Sequence, residues 1–309
     1  MDNKSIDMLN GWIISDKKAG EGYFSNDDLG KMKNLPFALE FVNMMEIDLE
    51  VSADKRDQIR VAGNYKPLPD FALCIFEAGV GYFHFALLRQ LEMLDVFSLH
   101  KAENLAGSRD KFFSYQKFLK AGIPVAKTLL FTLNTDIDWV VERIGLPMVI
   151  KLPDGSKGEG VCLVKSKSEL KNIQDLYCKN SKHELLAQEF IATSKGRDVR
   201  ITMCDGNVVF GVLRDNSKGE DFRSNISVGG DGVYWEPDEE AIRIAKEVVK
   251  VMDMKLCGVD LLFGENGYIV GEINSMPGCL HIVHEGKSNL QRLLEAIYRA
   301  VVKYVGNGK

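Results

Sequence analysis

The sequence predicts a protein of the α/β (α+β) class, with an open parallel α/β layer first and a part built on antiparallel strands after it. Three observations predict this. Strand-like and helix-like runs alternate over the N-terminal third, and one of them, 71–76 (FALCIF), is apolar throughout, as in strands covered on both faces of a parallel sheet. In the last third, strand-like runs follow one another across tight turns such as Asp205-Gly206. Residues 256–278 (LCGVDLLFGENGYIVGEINSMPG) are two apolar runs flanking a Gly-Glu-Asn-Gly turn, the pattern of a β-hairpin.

Taken in order, residues 12–14 read as a short strand after a polar lead, and 16–31, rich in Gly, Asp and Lys, as a loop. Residues 37–45 read as a short amphipathic helix leading into an alternating strand at 47–51. After the 71–76 strand, 82–94 carries Phe85, Leu87, Leu88, Leu91 and Leu94 on one helical stripe, and 96–99 is another short strand. This third holds neither GxGxxG nor GxxxxGK[ST], so it reads as scaffold. Residues 108–121 (SRDKFFSYQKFLKA) read as a helix with Ser108 as N-cap and Gly122 as its stop. Lys111 in its first turn opposes the helix dipole, which suits either a solvated lysine or one aimed at an anion.

After a strand at 126–131, residues 146–152 (LPMVIKL) form another, with Lys151 in its apolar body. Such a lysine either snorkels to the surface or meets a buried anion. The turn 154–161 (DGSKGEGV) then sets three glycines between two strands. Glycines let backbone N–H groups point at phosphate oxygens, although an ordinary glycine hairpin has the same pattern. Strands follow at 184–191 (ELLAQEFI), at 198–202 and at 207–213, the last closed by Arg214. The polar segment 221–225 (DFRSN) runs into Gly229-Gly230. A helix at 239–252 precedes the hairpin, and a final helix carries Leu290, Leu293, Leu294, Ile297 and Val301 on one stripe.

The hairpin carries the chemistry. Asp260 lies inside its first run and Glu272 late in the second; Asn274 follows Glu272 by two residues, on the same face of the strand. If the hairpin pairs about its turn, the two carboxylates come near each other, and they repel unless positive charge sits between them. Three oxygen-bearing side chains without His or Cys suit Mg²⁺ better than Zn²⁺. The hairpin alone leaves open an Asp and a Glu that face solvent or pair with Arg or Lys.

Composition bounds the class. A net charge of −5 argues against a general nucleic-acid binder. The six cysteines include no CxxC pair and read as reduced thiols of a cytoplasmic protein. The polar first residues carry no signal peptide, and no apolar run approaches the roughly 18–20 residues of a membrane span. A homo-oligomer is compatible with everything above.

In order and spacing, the segments RDKFFSYQKFLKAGIP, PMVIKLPDGSKGEGV, AQEFI, GRDVRI, DFRSN and GVDLLF…GEINSMPG resemble the ATP-grasp superfamily, and within it the RimK-type (alpha-L-glutamate ligase-like) carboxylate–amine ligases. The resemblance runs from about 104 to 278. It implies an ATP-grasp fold with an N-terminal domain at 1–107, a central lid subdomain with a glycine-rich flap at 108–185, and a C-terminal antiparallel-sheet subdomain with the metal site at 186–309. It implies ATP and Mg²⁺ as cofactors, two ions, with Mn²⁺ as an acceptable substitute. Lys111 and Lys151 match lysines at the nucleotide phosphates, and Gly155, Ser156, Lys157, Gly158 and Gly160 the flap over them. Glu189, Phe190 and Ile191 match the linker that grips adenine, and Asp198 an acidic residue at the ribose and base. Arg223, Ser224 and Asn225 match the phosphate-side segment, and Asp260, Glu272 and Asn274 the Mg²⁺ ligands. Arg200 and Arg223 are the candidates for the transfer centre, with Asn225 beside them and Arg214 a weaker one.

The activity implied is acid–amino acid ligation: ATP turns a carboxylate into an acyl phosphate, and an amine, glutamate or a similar amino acid, displaces phosphate to leave an amide. The acceptor would be an amino acid, peptide, protein or cofactor. A phosphotransferase on the same scaffold, stopping at a phosphorylated carboxylate or hydroxyl, is the alternative; a non-catalytic nucleotide-binding module would not need both lysines and all three metal ligands. After DFRSN and after SMPG the chain departs from the glutamate-adding pattern, reading ISV and CLHIVHEG, which leaves the roles of His281 and His284 open.

Overall fold

The computed structural model describes residues 8–18, 21, 25–32, 35–53, 58–76, 80–155, 160–179, 184–219, 221–224 and 231–306. The chain forms two compact units: Met1–Ala106 with Met254–Leu256 and Met276–Lys309, and Gly107–Asp253 with Cys257–Ser275.

The first unit is built on a parallel sheet in the order Phe37–Asn43, Leu9–Ser15, Phe71–Ile75, Phe97–Ser98. Leu9–Ser15 and Phe71–Ile75 are the central strands, and their apolar side chains are buried as a strand paired on both edges requires. Residues 37–43 are a strand and not the helix their sequence suggests. Seven consecutive residues pair in register with Leu9–Ser15, and that ladder overrides a weak local helical pattern. The stretch read as a loop at 16–31 contains the helix Asn26–Met32; Ser25 Oγ accepts from the Asp28 N–H, and Asp27 pairs with Lys31 at 2.6 Å.

Residues 276–309 fold with this first unit and not with the hairpin that precedes them. The helix Asn289–Val301 buries Leu290, Leu293, Leu294 and Ile297, and its Tyr298 ring lies 5.1 Å from that of Phe37. Its apolar stripe finds the parallel sheet as the surface to cover. His281 and His284 go with it.

The second unit holds two sheets. One has the order Cys162–Val164, Met148–Lys151, Leu185–Glu189, Thr128–Phe131, all neighbours antiparallel, with Ile137–Ile144 and Lys167–Gln174 packed on it through Val140, Leu170, Met148 and Ile150. The other has five strands in the order Asp231–Trp235, Asn207–Asp215, Arg197–Cys204, Leu256–Gly264, Gly267–Asn274. The helix Glu239–Met252 buries Ile244, Ala245, Val248 and Met252.

The helix expected at 108–121 is two helices. Ala102–Arg109 ends before Asp110, whose extended backbone starts Lys111–Lys120 and whose carboxylate accepts from the Phe113 N–H at 2.9 Å. Asp110 is therefore the N-cap, and Ser108 belongs to the last turn of the preceding helix. Among the described residues no helix is long and apolar enough to cross a membrane, and Cys74, Cys162, Cys204, Cys257 and Cys279 form no disulfide.

Candidate active site

The hairpin is the foundation of the site. Gly264 pairs with Gly267 across the two-residue turn, and Leu261 pairs with Val270. Continued strictly, that register would set Asp260 opposite Gly271 and turn Glu272 to the other face. A β-bulge intervenes: the register shifts between Asp260 and Leu261, and Asp260 pairs with Glu272. Burial records the shift, because Val270 and Ile273 are both buried although three positions apart. The groups the bulge displaces find partners elsewhere. The Val270 N–H donates to the Pro124 carbonyl at 2.9 Å, and Tyr115 Oη donates to the Gly271 carbonyl at 2.7 Å.

The bulge brings the predicted metal trio together. Asn274 Nδ2 lies 3.1 Å from Glu272 Oε1 and 3.3 Å from Asp260 Oδ2. Two carboxylates and an amide around one point form a donor set of oxygen type once the amide turns, which fits Mg²⁺ with positions left for phosphates and water. Among the described residues no cluster of three His, Cys, Asp or Glu offers a competing site.

Asp260 is 3% exposed, and its charge is already balanced. Arg200 donates to it at two points, Nε to Oδ1 and Nη2 to Oδ2, each at 2.6 Å, and Arg214 Nη2 donates to Oδ2 at 2.7 Å. Burial alone would raise the Asp260 carboxyl; Arg200 and then Arg214 outweigh it and hold the group below the usual carboxylate range. Arg214 also grips Asp198 through Nε at 2.7 Å and through Nη2. Burial pushes the Asp198 carboxyl up, and Arg214 offsets this only in part. Arg200, expected at the transferring oxygens, clamps a metal-ligand candidate, and Asp198, expected at the ribose, is paired with Arg214 and lines the cleft described next.

Both predicted lysines reach the same cleft, of about 970 Å³ with its space open to solvent. Lys151 is buried and does not snorkel: its Nζ donates to Tyr115 Oη and to Gln188 Oε1, each at 2.8 Å. Lys111 Nζ donates to the Gly155 carbonyl. Burial holds the Lys111 ammonium below its usual value; Glu272 pulls the other way, while nearby Lys151 and Arg109 add to the lowering. Crowded cations of this kind call for an anion.

Glu189, Phe190 and Ile191 line the cleft from the end of the strand Leu185–Glu189, with Phe190 edge-on to Phe222 at 6.2 Å. Asp198, Arg223, Ser224, Asp260, Glu272 and Gly155 line it too; Arg200, Asn274 and Gly160 do not, and Asn274 faces an adjoining polar cleft with Lys111 and Glu272. Arg223 is held by Asp221 through Nε at 3.0 Å. Ser156, Lys157, Gly158 and Asn225 lie outside the described residues. Tyr115 and Gln188 were not foreseen. The signal for Tyr115 is its spacing of four from Lys111, which places both on one face of the helix.

The family model for the RimK-like ATP-grasp domain matches residues 108–297. A relative in Legionella pneumophila (strain Corby), named "Probable alpha-L-glutamate ligase", is 35% identical over 215 residues, covering 69% of this chain and 70% of the relative. The solved structure of a RimK domain protein ATP-grasp from Sphaerobacter thermophilus has a TM-score of 0.67 at 16% identity, covering 96% of this chain and 99% of that one. D-alanine–D-alanine ligase from Bacillus anthracis, solved with ATP, has a TM-score of 0.66 at 16% identity and covers 97% and 96%. These two likenesses are of fold.

Proposed function

Because this chain belongs to the RimK-like ATP-grasp family and is an ATP-dependent carboxylate–amine ligase, we propose that it joins the amine of L-glutamate to the activated carboxylate of an amino acid, peptide, protein or cofactor. The observation that carries the reading is a cleft lined by Lys111, Lys151, Asp260 and Glu272, with Asn274 3.1 Å from Glu272 Oε1 at the adjoining cleft. The amino acid is taken from the names of the relatives.

In this reading a carboxylate oxygen of the acceptor attacks the γ-phosphorus of ATP, the bond to the β-phosphate oxygen breaks, and ADP leaves an acyl phosphate behind. The glutamate amine attacks the acyl carbon, gives up a proton, and phosphate departs with the former carboxylate oxygen. The first step drives one anion onto another, so positive charge fixed in advance is what the protein has to supply. Lys111 and Lys151 supply it at the phosphates. Asp260, Glu272 and Asn274 would hold Mg²⁺, two ions in the family pattern, and the bound metal supplies further neutralisation of phosphate charge. Arg200 keeps Asp260 ionised and aimed. Arg223 and Ser224 face the same cleft and would contact phosphate oxygens.

The test is mass spectrometry of products made from ATP, Mg²⁺ and a pool of amino acids and peptides, with ADP release followed for the carboxylate alone and then with amine. Addition of glutamate residues is the expected result. A stable phosphorylated product with no dependence on amine would turn the reading to the phosphotransferase. Lys151→Ala is expected to weaken nucleotide binding about ten- to a hundredfold, since it removes a charged donor. Calorimetry with a non-hydrolysable ATP analogue checks this, and an unchanged affinity would remove Lys151 from the phosphate site.

A further inference from the structure

We infer that Tyr115 is a positioning residue that couples the phosphate lysine to the metal ligands, because one phenolic oxygen holds both Lys151 and the bulged strand. The inference rests on the reading of the cleft proposed above.

Tyr115 is 4% exposed in the helix Lys111–Lys120. Its Oη accepts from Lys151 Nζ at 2.8 Å and donates to the Gly271 carbonyl at 2.7 Å. Gly271 is the extra residue of the bulge, whose peptide the ladder leaves aside, and Glu272 is the next residue along. The phenol therefore fixes the one peptide whose position decides where the Glu272 carboxylate points.

At the other end, an ammonium has three N–H bonds. Two of those on Lys151 are committed, to Tyr115 Oη and to Gln188 Oε1. Gln188 is itself held, donating to Thr128 Oγ1 at 2.8 Å. The Lys151 Nζ also sits 5.2 Å from the Tyr115 ring centroid. With two bonds fixed in space, tetrahedral geometry fixes the third, which has no partner among the described residues, and Lys151 lines the cleft. One hydroxyl thus sets the spacing between the cation that meets the phosphates and the carboxylate that meets the metal. Metal and phosphate should then bind as one unit, each tightening the other through a common anchor.

The test is Tyr115→Phe, which keeps the buried ring and removes both hydrogen bonds. Calorimetry measures AMPPNP affinity at saturating Mg²⁺, and a Mg²⁺ titration at fixed AMPPNP gives the midpoint for the metal. The variant should bind AMPPNP about tenfold more weakly and need correspondingly more Mg²⁺. A role in stability alone would lower the melting temperature and leave the Mg²⁺ midpoint in place. The double variant Tyr115→Phe/Lys151→Met should lose less than the sum of the two single losses, since the hydroxyl acts in part through that lysine. A Mg²⁺ midpoint within twofold of wild type, or fully additive losses in the double variant, would overturn the inference. If wild-type protein binds AMPPNP without regard to Mg²⁺, the metal reading of the cleft fails, and this inference with it.

Discussion

Asp260→Asn is expected to abolish turnover and to lower the melting temperature by about 5–8 °C. The substitution keeps the shape of the side chain and removes its charge, which leaves Arg200 without its two-point partner and Arg214 with Asp198 alone. Breaking a buried ion pair from one side costs about 3–5 kcal/mol, because the other charge stays behind unpaired. For a chain of this size that corresponds to the shift stated. The sign of the pH dependence follows from the depressed Asp260 carboxyl. Its stabilisation is fully present above the unfolded carboxylate value of ~3.9 and is lost as pH falls through the lower folded value. The gap in melting temperature between wild type and variant should therefore be widest near neutrality and shrink in acid. Thermal melts between those limits check it; a variant as stable as wild type at neutral pH would mean that the two guanidiniums do not depend on this carboxylate.

Glu272→Gln separates chemistry from folding at the neighbouring position. The Glu272 side chain is 33% exposed, and its contact with Arg200 is a distant 3.9 Å, so the melting temperature should move by no more than about 2 °C. Turnover should fall at least about a hundredfold, because the metal loses one of two anionic ligands and the charge that neutralises the transferring phosphate is weakened. ADP release measured across a Mg²⁺ titration distinguishes a lost ligand from a lost base: added metal should recover part of the activity. Full activity at ordinary Mg²⁺ would remove Glu272 from the metal site. The contrast between the two variants, one that disturbs fold and chemistry together and one that disturbs chemistry alone, depends on burial.

Much of the site is legible from local sequence because each part carries its own chemical oddity. A lysine in an apolar strand, glycines packed into a turn and carboxylates inside a hairpin all stand out against what strands ordinarily hold. What escapes is decided by contacts between distant residues. Arg200 and Asp260 are sixty positions apart, and only the sheet order brings them together. The strand Phe37–Asn43 reads as a helix until Leu9–Ser15 is present to pair with it. Asp110 and Ser108 are both good cap residues two positions apart, and the helix boundary chooses between them. The sequence places Asp260 and Glu272 near each other about the turn, but a strict two-residue period would leave them on opposite faces, and nothing in the string GYIVGEIN announces the extra residue.

That extra residue makes the outer strand sensitive to counting. Strand positions obey an even–odd rule, and the insertion opposite Asp260 resets the count for everything after it. Deleting Gly271 would remove the bulge without turning the strand: Asp260 opposite Glu272 would follow directly on Leu261 opposite Val270, with Glu272 and Asn274 on one face and Ile273 on the other, as they are now. What the deletion would take away is the Gly271 carbonyl that Tyr115 Oη holds at 2.7 Å. When relatives are aligned across this hairpin, a single misplaced gap is enough to make an intact ligand set look like a missing one.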